Sequence, residues 1–334
     1  MKKRIMQAAA TMMILSLILA ACVAIVAPAG AAPTFNRADY FLTVLTGPTS
    51  GIYFPIGGGF YQVANDVGYA ASVTATGASV ANINALRNKN GEIAISMVDS
   101  VVQAVEATYA FDGQPPATEL RSMMGLWPNV VQIVTTAGSG IKTFEDMKGR
   151  RVGVGPPGSG VELNARMIFA THNMTYDDVT VDFLSYGESI DQMKNGLVDA
   201  AFVTSGLGNA TILELGIDHE IYFVPVDGAA RQRLINDYPF YIEFMIPTDV
   251  YNTGVQTETV GIMNIMLTHV DVPNNVVYDL MESFLSEEGL RTIHATHSQA
   301  LNHIRLENGL RGITGIPVPM HEGAIEFFKN RGMM

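Results

Sequence analysis

The sequence predicts an α/β fold in two similar lobes with a cleft between them. Segments that suit strands and segments that suit helices alternate along the chain, which is typical of parallel strands joined by crossover helices. The same order of segments occurs twice. With 334 residues and 48% apolar composition, the chain is also long enough to form about two domains, each with its own core.

The first unit begins with an extended run at residues 40–47, followed by the loop PTSG and a helix-compatible pattern at 52–66. A strand pattern at 71–76, a turn, a helix pattern at 80–90 and a strand pattern at 92–98 complete the unit. These lengths are ordinary for strands and helices of α/β domains. We therefore expect three parallel strands with helices between them.

The second unit repeats this order after the loop PPGSG. Strand patterns lie at 150–155, 179–185 and 198–204, and helix patterns lie at 161–173 and 188–196. The Ser-Gly pair at 50–51 recurs at 159–160, and the Asn-Gly pair at 90–91 recurs at 195–196. The two units thus match to within a few residues in layout.

The loop after the first strand has the same chemistry in both units. The strand ends in Gly, a loop with Pro follows, and a Ser-Gly pair opens the helix. Backbone N–H groups at two such helix starts would point at one anion if the lobes faced each other. The alternative is that Ser50 and Ser159 are ordinary helix caps beside turn glycines.

The connections between the units suggest a discontinuous first lobe. An apolar run, Val130–Val134, could cross between lobes, and Trp127 beside it either lines the cleft or is buried at the boundary. We expect the C-terminal third to be helical and to pack on the first lobe. The expected lobes are residues 34–130 with 225–334, and residues 131–224.

The N-terminus has the pattern of a secretory signal peptide at residues 1–31. A basic start precedes an apolar core, and small residues at Ala29 and Ala31 suit cleavage between Ala31 and Ala32. Cleavage before Cys22, as in a lipoprotein, is the alternative, but the residues after Cys22 stay apolar. We expect a free periplasmic protein, and Cys22 is the only cysteine, so the mature chain carries no thiol chemistry.

The spacing G-x-G-x-x-G at Gly153, Gly155 and Gly158 raises the question of a dinucleotide site. Such a site needs an acidic residue about 20 residues on, at the end of the next strand. Asp177 and Asp178 lie at that distance, but we expect them in the turn before the strand. GPPGSG also lacks the Lys-Ser/Thr of a nucleotide-binding P-loop. We expect no cofactor.

Other function classes lack their signatures as well. The net charge of −12 argues against a nucleic-acid partner. His294 and His297 could share a helix face, but no acidic residue stands at a metal-ligand spacing, so we expect no metal. Neither TSG nor GSG is the G-x-S-x-G of a hydrolase, and we expect no enzyme.

Five segments together resemble one family. They are LTGPTSGIYFPIGGGF, TATGASVANINAL, RVGVGPPGSGVELNARMIF, MKNGLVDAAFVTSG and GIPVPMHEGAIEFFKNRG, in that order. The chain is similar to the TAXI-type solute receptors of TRAP transporters. The resemblance implies a periplasmic, type II-like binding protein whose two α/β lobes close on a small organic acid, such as glutamate, 2-oxoglutarate or a related carboxylate. It further implies delivery to the membrane subunits of a TRAP permease.

Carried over to this sequence, the resemblance implies ligand contacts at strand ends, where open α/β sheets bind ligands. The first lobe would supply Thr49, Ser50, Gly51, Tyr53, Thr76, Gly77, Ser79 and Asn82. The second lobe would supply Pro157, Gly158, Ser159, Gly160, Thr204, Ser205 and Gly206.

The sequence departs from the family at two places. Phe54 stands where the family often has a second Tyr, and Met97-Val98 stand where it often has a polar pair. We expect Asp99 to cap a helix, because a carboxylate aimed at an anionic ligand would repel it. Arg87 and Arg166 lie well along helices, so N–H groups, hydroxyls and helix dipoles would have to bind the anion.

Two other function classes stay open. A binding component of an ATP-driven importer or of a sensor would use the same lobes, although IPVPMHEGA favours the TAXI family. An exported enzyme would need a general base in the cleft, and none is evident. We expect a monomer.

Overall fold

A ten-stranded mixed sheet runs through residues 35–334, the part of the chain that the computed structural model describes. The strands are β1 (Phe41–Leu45), β2 (Ala70–Thr74), β3 (Ile93–Met97), β4 (Leu120–Thr136), β5 (Arg151–Gly153), β6 (Thr180–Asp182), β7 (Ala200–Ser205), β8 (Ile221–Val224), β9 (Tyr241–Ile246) and β10 (Thr257–His269). Their order is β2-β1-β3-β10-β4-β7-β5-β6, with β8 beside β4 and β9 beside β10.

Twelve α-helices accompany the sheet within the same range. They are α1 (Tyr53–Asp66), α2 (Ser79–Arg87), α3 (Val98–Glu106), α4 (Gly160–Thr171), α5 (Tyr186–Lys194), α6 (Ala210–Asp218), α7 (Gly228–Asp237), α8 (Thr248–Tyr251), α9 (Asn274–Phe284), α10 (Glu287–His294), α11 (Ser298–His303) and α12 (Glu322–Asn330). None of the helices in the described range is long and apolar enough to cross a membrane.

The sheet contains two parallel groups, as the repeated strand and helix pattern predicts. β1 pairs in parallel with β2 and β3, and β5 pairs in parallel with β6 and β7. Each connection inside a group contains a helix. The predicted α/β class is therefore confirmed. We call β1–β3 with α1–α3 and α9–α12 the first half, and β5–β7 with α4–α7 the second half.

Two long strands, β4 and β10, join the two groups. β10 pairs antiparallel with β3 through residues 264–268 and with β9 through residues 257–262. β4 pairs antiparallel with β10 near its start and with β7 near its end. The apolar run Val130–Val134 therefore lies on a strand that crosses between the halves. The expectation of a helical C-terminal third is wrong at β10, whose apolar residues belong to a strand buried in the sheet.

Strand direction brings the carboxyl ends of both groups to one place. β4 runs from the first half into the second. β3 runs in the same direction as β4, because both are antiparallel to β10, so the carboxyl end of β3 points towards the junction between the halves. β7 is antiparallel to β4, so it points to the junction from the other side. The loops that follow the parallel strands of both halves consequently face each other.

Local signals fix several helix starts. Ser159 caps α4 by accepting a hydrogen bond from the Glu162 N–H at 3.2 Å, and Ser185 with Glu188 forms a capping box at α5. The expectation that Ser50 and Gly51 open a helix is wrong, because α1 begins at Tyr53 without a side-chain cap. Asp177 lies in a short 3₁₀ turn before β6, as predicted.

The division into lobes, residues 34–130 with 225–334 and residues 131–224, stays a prediction. Residues 225–262 contact the second half. In this segment α7 packs against α4, and β9 pairs with the part of β10 that lies beside β4 in the second half. Residues 36–334 form one compact unit. The signal peptide expected at residues 1–31, with its alternative cleavage sites, lies outside the described residues.

Candidate functional site

A small cavity lies where the two sets of strand ends meet. Its volume is about 40 Å³, which is room for a few water molecules. The lining residues are Gly47, Pro48, Gly51, Ile52, Tyr53, Ala78, Ser79, Met97, Asn129, Pro156, Ser159, Gly160, Val161, Ser185, Tyr186, Thr204 and Ser205. Both halves contribute to the wall, and the strand β4 between them contributes Asn129.

The starts of four described helices converge on this cavity. Tyr53 begins α1, Ser79 begins α2, Gly160 begins α4 and Tyr186 begins α5. The backbone N–H groups of these residues bond no acceptor among the described residues, as expected for the first turn of a helix. Such groups and the helix dipoles favour a negatively charged group in the cavity.

The hydroxyl of Thr204 is a second feature that points to a ligand. Thr204 is only 2% exposed and lines the cavity, yet its Oγ1 has no hydrogen-bond partner within the described structure. Buried hydroxyls are normally hydrogen-bonded, because an unpaired one loses its bonds to water. The adjacent backbone is held in place, since the Tyr186 hydroxyl donates to the Thr204 carbonyl at 2.7 Å.

A polar network forms the back of the cavity at the junction of β4 and β10. The Tyr53 hydroxyl donates to Asn264 Oδ1, and Asn264 Nδ2 donates to the Trp127 carbonyl at 2.9 Å. Trp127 Nε1 donates to Asn129 Oδ1 at 3.0 Å, and the Trp127 ring packs edge-on to Tyr53 with 5.6 Å between centroids. Burial raises the pKa of Tyr53, so its phenol stays protonated. Trp127 therefore supports the cavity from behind without lining it.

None of the lining residues carries a formal charge at neutral pH. Asp99, two residues after the lining residue Met97, has a buried carboxyl group that accepts from the Ser100 N–H at 2.6 Å and from Asn164 Nδ2 of the second half. Burial raises the pKa of Asp99 to about 6. The expectation that Asp99 caps a helix is wrong in position: Met97 is the cap residue, and Asp99 lies inside the first turn of α3.

The backbone at Ala78 adopts an uncommon conformation at the cavity wall. Its φ is 73° and its ψ is −144°, a region that residues other than glycine rarely occupy. Holding such a residue there costs about 1–3 kcal/mol. The Ala78 carbonyl accepts from the Asn82 N–H at 2.8 Å, and the Ala78 N–H donates to Thr76 Oγ1 at 2.9 Å. Hydrogen bonds therefore hold the turn on both sides of Ala78.

The structure brings some of the predicted site residues together at the cavity and leaves others outside it. Those that line it are Gly51, Tyr53, Ser79, Ser159, Gly160, Thr204 and Ser205. Those that do not are Thr49, Ser50, Thr76, Gly77, Asn82, Pro157, Gly158 and Gly206. The role of each as a ligand contact stays a prediction.

Several residues outside the cavity hold its loops instead. Asn82 donates to the carbonyls of Thr46 at 2.6 Å and Ile95 at 2.7 Å, so it ties the start of α2 to the loop after β1 and to strand β3. The Gly158 carbonyl accepts from the Ala81 N–H at 3.2 Å, which is a direct bond between the halves. The halves therefore touch around the cavity.

The remaining lining residues were not among the predicted ligand contacts. They are Gly47, Pro48, Ile52, Ala78, Met97, Asn129, Pro156, Val161, Ser185 and Tyr186. Most of them flank predicted residues in the same loops, and Ser185 stands in the capping-box pattern S-x-x-E, which marks the second helix start in the second unit. Asn129 has no such signal, because only the strand pairing brings it to the junction.

The motif glycines and the paired histidines have structural roles. Gly155 and Gly158 have φ of 94° and 74°, so the loop before α4 needs residues without a side chain there. His294 Nε2 lies 2.7 Å from the Ile304 carbonyl oxygen, and the His297 side chain caps α11. Within the described residues, no group of three or more His, Cys, Asp or Glu side chains could hold a metal.

Structure comparison finds the same fold in a protein from Bordetella bronchiseptica RB50. The two share 13% sequence identity, with a TM-score of 0.52 over 87% of this chain and 98% of that one. Similarity also extends to the alkanesulfonate-binding protein SsuA from Xanthomonas axonopodis pv. citri bound to MOPS, at 13% identity and a TM-score of 0.45 over 88% and 93% of the two chains. An ancestral arginine-binding protein bound to arginine matches at 15% identity and a TM-score of 0.47 over 78% and 98%.

The family comparison covers the whole cavity. The model of the NMT1-like family matches residues 44–332, from within β1 to just beyond α12. This range includes every loop that follows a parallel strand and both long strands that join the halves. The chain therefore belongs to the NMT1-like family.

Proposed function

We propose that this protein is an extracytoplasmic solute receptor that encloses a small organic acid between its halves and delivers it to a membrane transporter. The observation that carries the proposal is the convergence of four helix starts from both halves on one cavity that also contains the unpaired hydroxyl of Thr204. Unpaired donors around a buried space suit an anionic ligand.

The division of these donors between the halves supports a receptor that closes. Tyr53 and Ser79 belong to the first half, whereas Gly160 and Thr204 belong to the second. A ligand that contacts both sets binds the closed form better than an open one, and so shifts the equilibrium towards closure. The closed form is then the state that a membrane partner recognises.

The lining residues favour binding over catalysis. They include no His, Cys, Lys, Asp or Glu that could act as a general base or nucleophile. The signal-peptide pattern at residues 1–31 supports a location outside the cytoplasm. Within this proposal, the resemblance to TAXI-type receptors makes a TRAP permease the membrane partner.

A thermal-shift screen of the purified protein tests the proposal. The panel holds glutamate, 2-oxoglutarate, C4-dicarboxylates, monocarboxylates, arginine and an alkanesulfonate. A ligand at 100 times its Kd should add about 2.7 kcal/mol of stability, which raises the melting temperature by a few degrees. If no organic acid raises it while arginine or the sulfonate does, the proposed ligand class is wrong.

Thr204→Val gives a sharper test, because valine keeps the shape of threonine and removes only the hydroxyl. Since Thr204 Oγ1 has no partner, we expect the melting temperature of the free protein to stay the same or rise. Ligand affinity should fall about 10- to 100-fold, the value of a hydrogen bond to a charged group. Isothermal titration calorimetry measures the affinity.

Thr135→Val is the matched control. Thr135 is buried in β4, and its hydroxyl donates to the Asp199 carbonyl at 2.7 Å. This variant should lose stability by about 1–3 kcal/mol because the carbonyl is left unpaired, and it should keep its ligand affinity. Equal affinities for Thr204→Val and the unmodified protein would contradict a ligand contact at Thr204.

A further inference from the structure

A second polar region connects the two halves, between helix α3 of the first half and helix α4 of the second. Asn164 on α4 donates through Nδ2 to the carboxyl group of Asp99 and, at 3.1 Å, to the Tyr241 hydroxyl at the start of β9. One turn further along α3, Gln103 Nε2 lies 3.6 Å from Met167 Sδ on α4. Asp99, Asn164 and Gln103 are each at most 2% exposed. The region is therefore buried, and contact between the halves is what covers it.

Two buried oxygen atoms in this region have no hydrogen-bond partner within the described structure. They are Gln103 Oε1 and Asn164 Oδ1. Buried acceptors normally accept a hydrogen bond, because an unpaired acceptor has lost its bonds to water. Both atoms would regain water if α3 and α4 separated. The contact is therefore suited to opening, and opening would also expose Asp99 to water.

Asp99 forms no ion pair with any cation in the described structure. The elements packed against α3 are β3, β10, α2, α4 and the 3₁₀ turn at residues 109–111. The titratable side chains on these elements and on α3 itself are Arg87, Glu106, Tyr109, Glu162, Arg166, Glu258 and His269. Glu162 pairs with Arg166 at 2.6 Å, and Arg87 pairs with Glu119 at 2.8 Å.

Burial in the closed interface consequently favours the neutral form of Asp99. The phenols of Tyr53 and Tyr241, which also face it, stay neutral because burial raises their pKa. Burial likewise raises the pKa of Asp99 from 3.8 to about 6. If opening exposes Asp99, its pKa returns towards the ordinary value, so between the two values the closed form is protonated and the open form is ionised. Protonation therefore favours closure, fully below about pH 4, and the effect is lost as the pH rises through 6.

The interface keeps its hydrogen bonds when Asp99 is protonated. The oxygen and nitrogen of a side-chain amide have nearly the same shape, so a half-turn of the Asn164 amide exchanges them. After that turn, the amide oxygen accepts from the Asp99 O–H and from the Tyr241 hydroxyl, in place of the two bonds that Nδ2 donates. The neutral carboxyl group thus holds the halves together without a buried charge.

We propose that Asp99 is a proton-binding site that closure completes, so that the receptor takes up a proton there when it closes on its ligand and binds the ligand more tightly in an acidic medium. The inference rests on the proposed function, because it concerns the closure that such a receptor undergoes. Asp99 does not line the ligand cavity. The proton and the ligand are coupled because both favour the same closed form, and each strengthens binding of the other.

Isothermal titration calorimetry at pH 5 and pH 8 tests the proposal, with 2-oxoglutarate and glutamate as separate probes. For a carboxyl group whose pKa changes from 3.8 to about 6 on closure, linkage predicts an affinity about 10-fold higher at pH 5 than at pH 8. At pH 5, titrations in two buffers with different ionisation enthalpies should also show uptake of roughly one proton per bound ligand.

Asp99→Asn is the decisive variant, because asparagine has the shape of aspartic acid and stays neutral at both pH values. It should lose both the change in affinity and the proton uptake, whereas Asp112→Asn, at an exposed aspartate, should keep both. Titration of the probe itself affects all three proteins equally. Binding by Asp99→Asn that is weaker at both pH values but keeps the pH dependence would show a merely structural role and overturn the proposal.

The same titrations separate failure of this inference from failure of the proposed function. If a probe binds and its affinity changes with pH equally in the unmodified protein and in Asp99→Asn, the receptor function holds and the proton site is refuted. If neither probe binds, the acid of the thermal-shift panel that stabilises the protein most takes their place. If no acid of that panel binds, the proposed function itself is refuted.

Discussion

At the scale of single residues, Asp99 has an unusual environment for a carboxyl group. It is fully buried, and the groups that contact it are Ser100 of its own helix and Asn164 of the second half. The titratable groups that face it across the surrounding elements are the phenols of Tyr53 and Tyr241, both neutral because burial raises their pKa. With no cation beside it, burial disfavours the charged form and raises the pKa of Asp99 to about 6.

This pKa predicts a contribution to stability that depends on pH. An acid with a pKa of about 6 in the folded state and 3.8 in the unfolded chain is protonated only in the folded state between these values. The contribution is complete below about pH 4 and is lost as the pH rises through 6. Its size is about 3 kcal/mol, and Asp99→Asn should remove the dependence.

Urea unfolding at pH 5 and pH 8 measures this effect. The free energy of unfolding of the unmodified protein should fall relative to that of Asp99→Asn as the pH rises. Asp112→Asn, at an exposed aspartate, should follow the unmodified protein at both values. A constant difference between Asp99→Asn and the unmodified protein would contradict the assignment.

At the scale of elements, the cavity depends on how closely helix α4 approaches the first half. A Cβ atom at Gly160 would lie 2.3 Å from Met97 Cε, 3.0 Å from Ser100 Oγ and 3.1 Å from Ser79 Oγ. These neighbours all belong to the first half. Glycine at the helix start therefore lets the two halves touch, in addition to exposing its N–H group.

Gly160→Ala should consequently weaken ligand binding by obstructing closure. Overpacking of this kind costs about 1–3 kcal/mol, which corresponds to an affinity about 5- to 100-fold lower. Gly58→Ala, inside α1 with open space around the new methyl group, should leave binding unchanged and stabilise the protein by up to about 1 kcal/mol. Binding by Gly160→Ala that equals that of Gly58→Ala would refute the steric argument.

At the scale of the whole molecule, the strands β4 and β10 are the elements that can carry a hinge. They join the two parallel groups of the sheet, and the register between them shifts at Met263/Ile265. Outside these strands, the halves also contact each other directly, through packing around Gly160 and through hydrogen bonds. Examples are the bond from Ala81 to Gly158 and the bond from the Gln299 side chain to the Leu207 carbonyl at 3.4 Å.

We therefore expect the ligand-free protein to open about β4 and β10 and the ligand to close it. Small-angle X-ray scattering should show a smaller radius of gyration with a saturating ligand, approaching roughly 20 Å for a compact chain of this length. Gly160→Ala should show less compaction at the same ligand concentration. An unchanged radius on saturation by a tightly bound ligand would contradict closure.

The sequence by itself determined the α/β class and the position of most cavity loops. Alternating patterns and the repeated Ser-Gly loop are local signals, so they located β1, β5 and the loops that hold Gly51 and Ser159. It placed α1 to within one residue but gave Ser50 and Gly51 the wrong role, because a Ser-Gly pair suits both a turn and a helix cap and the cap residue of α1 is Ile52.

Only the tertiary structure decided which residues of those loops face the cavity. Asn82 and Thr76 have the polar side chains of a binding site, but they bond to neighbouring loops instead. Asn129 and the strand β10 carry no local signal, because an apolar run fits a buried strand and a buried helix equally well. Their roles come from pairing between residues more than 100 positions apart, such as Asn129 and Ile262, which no pattern along the chain records.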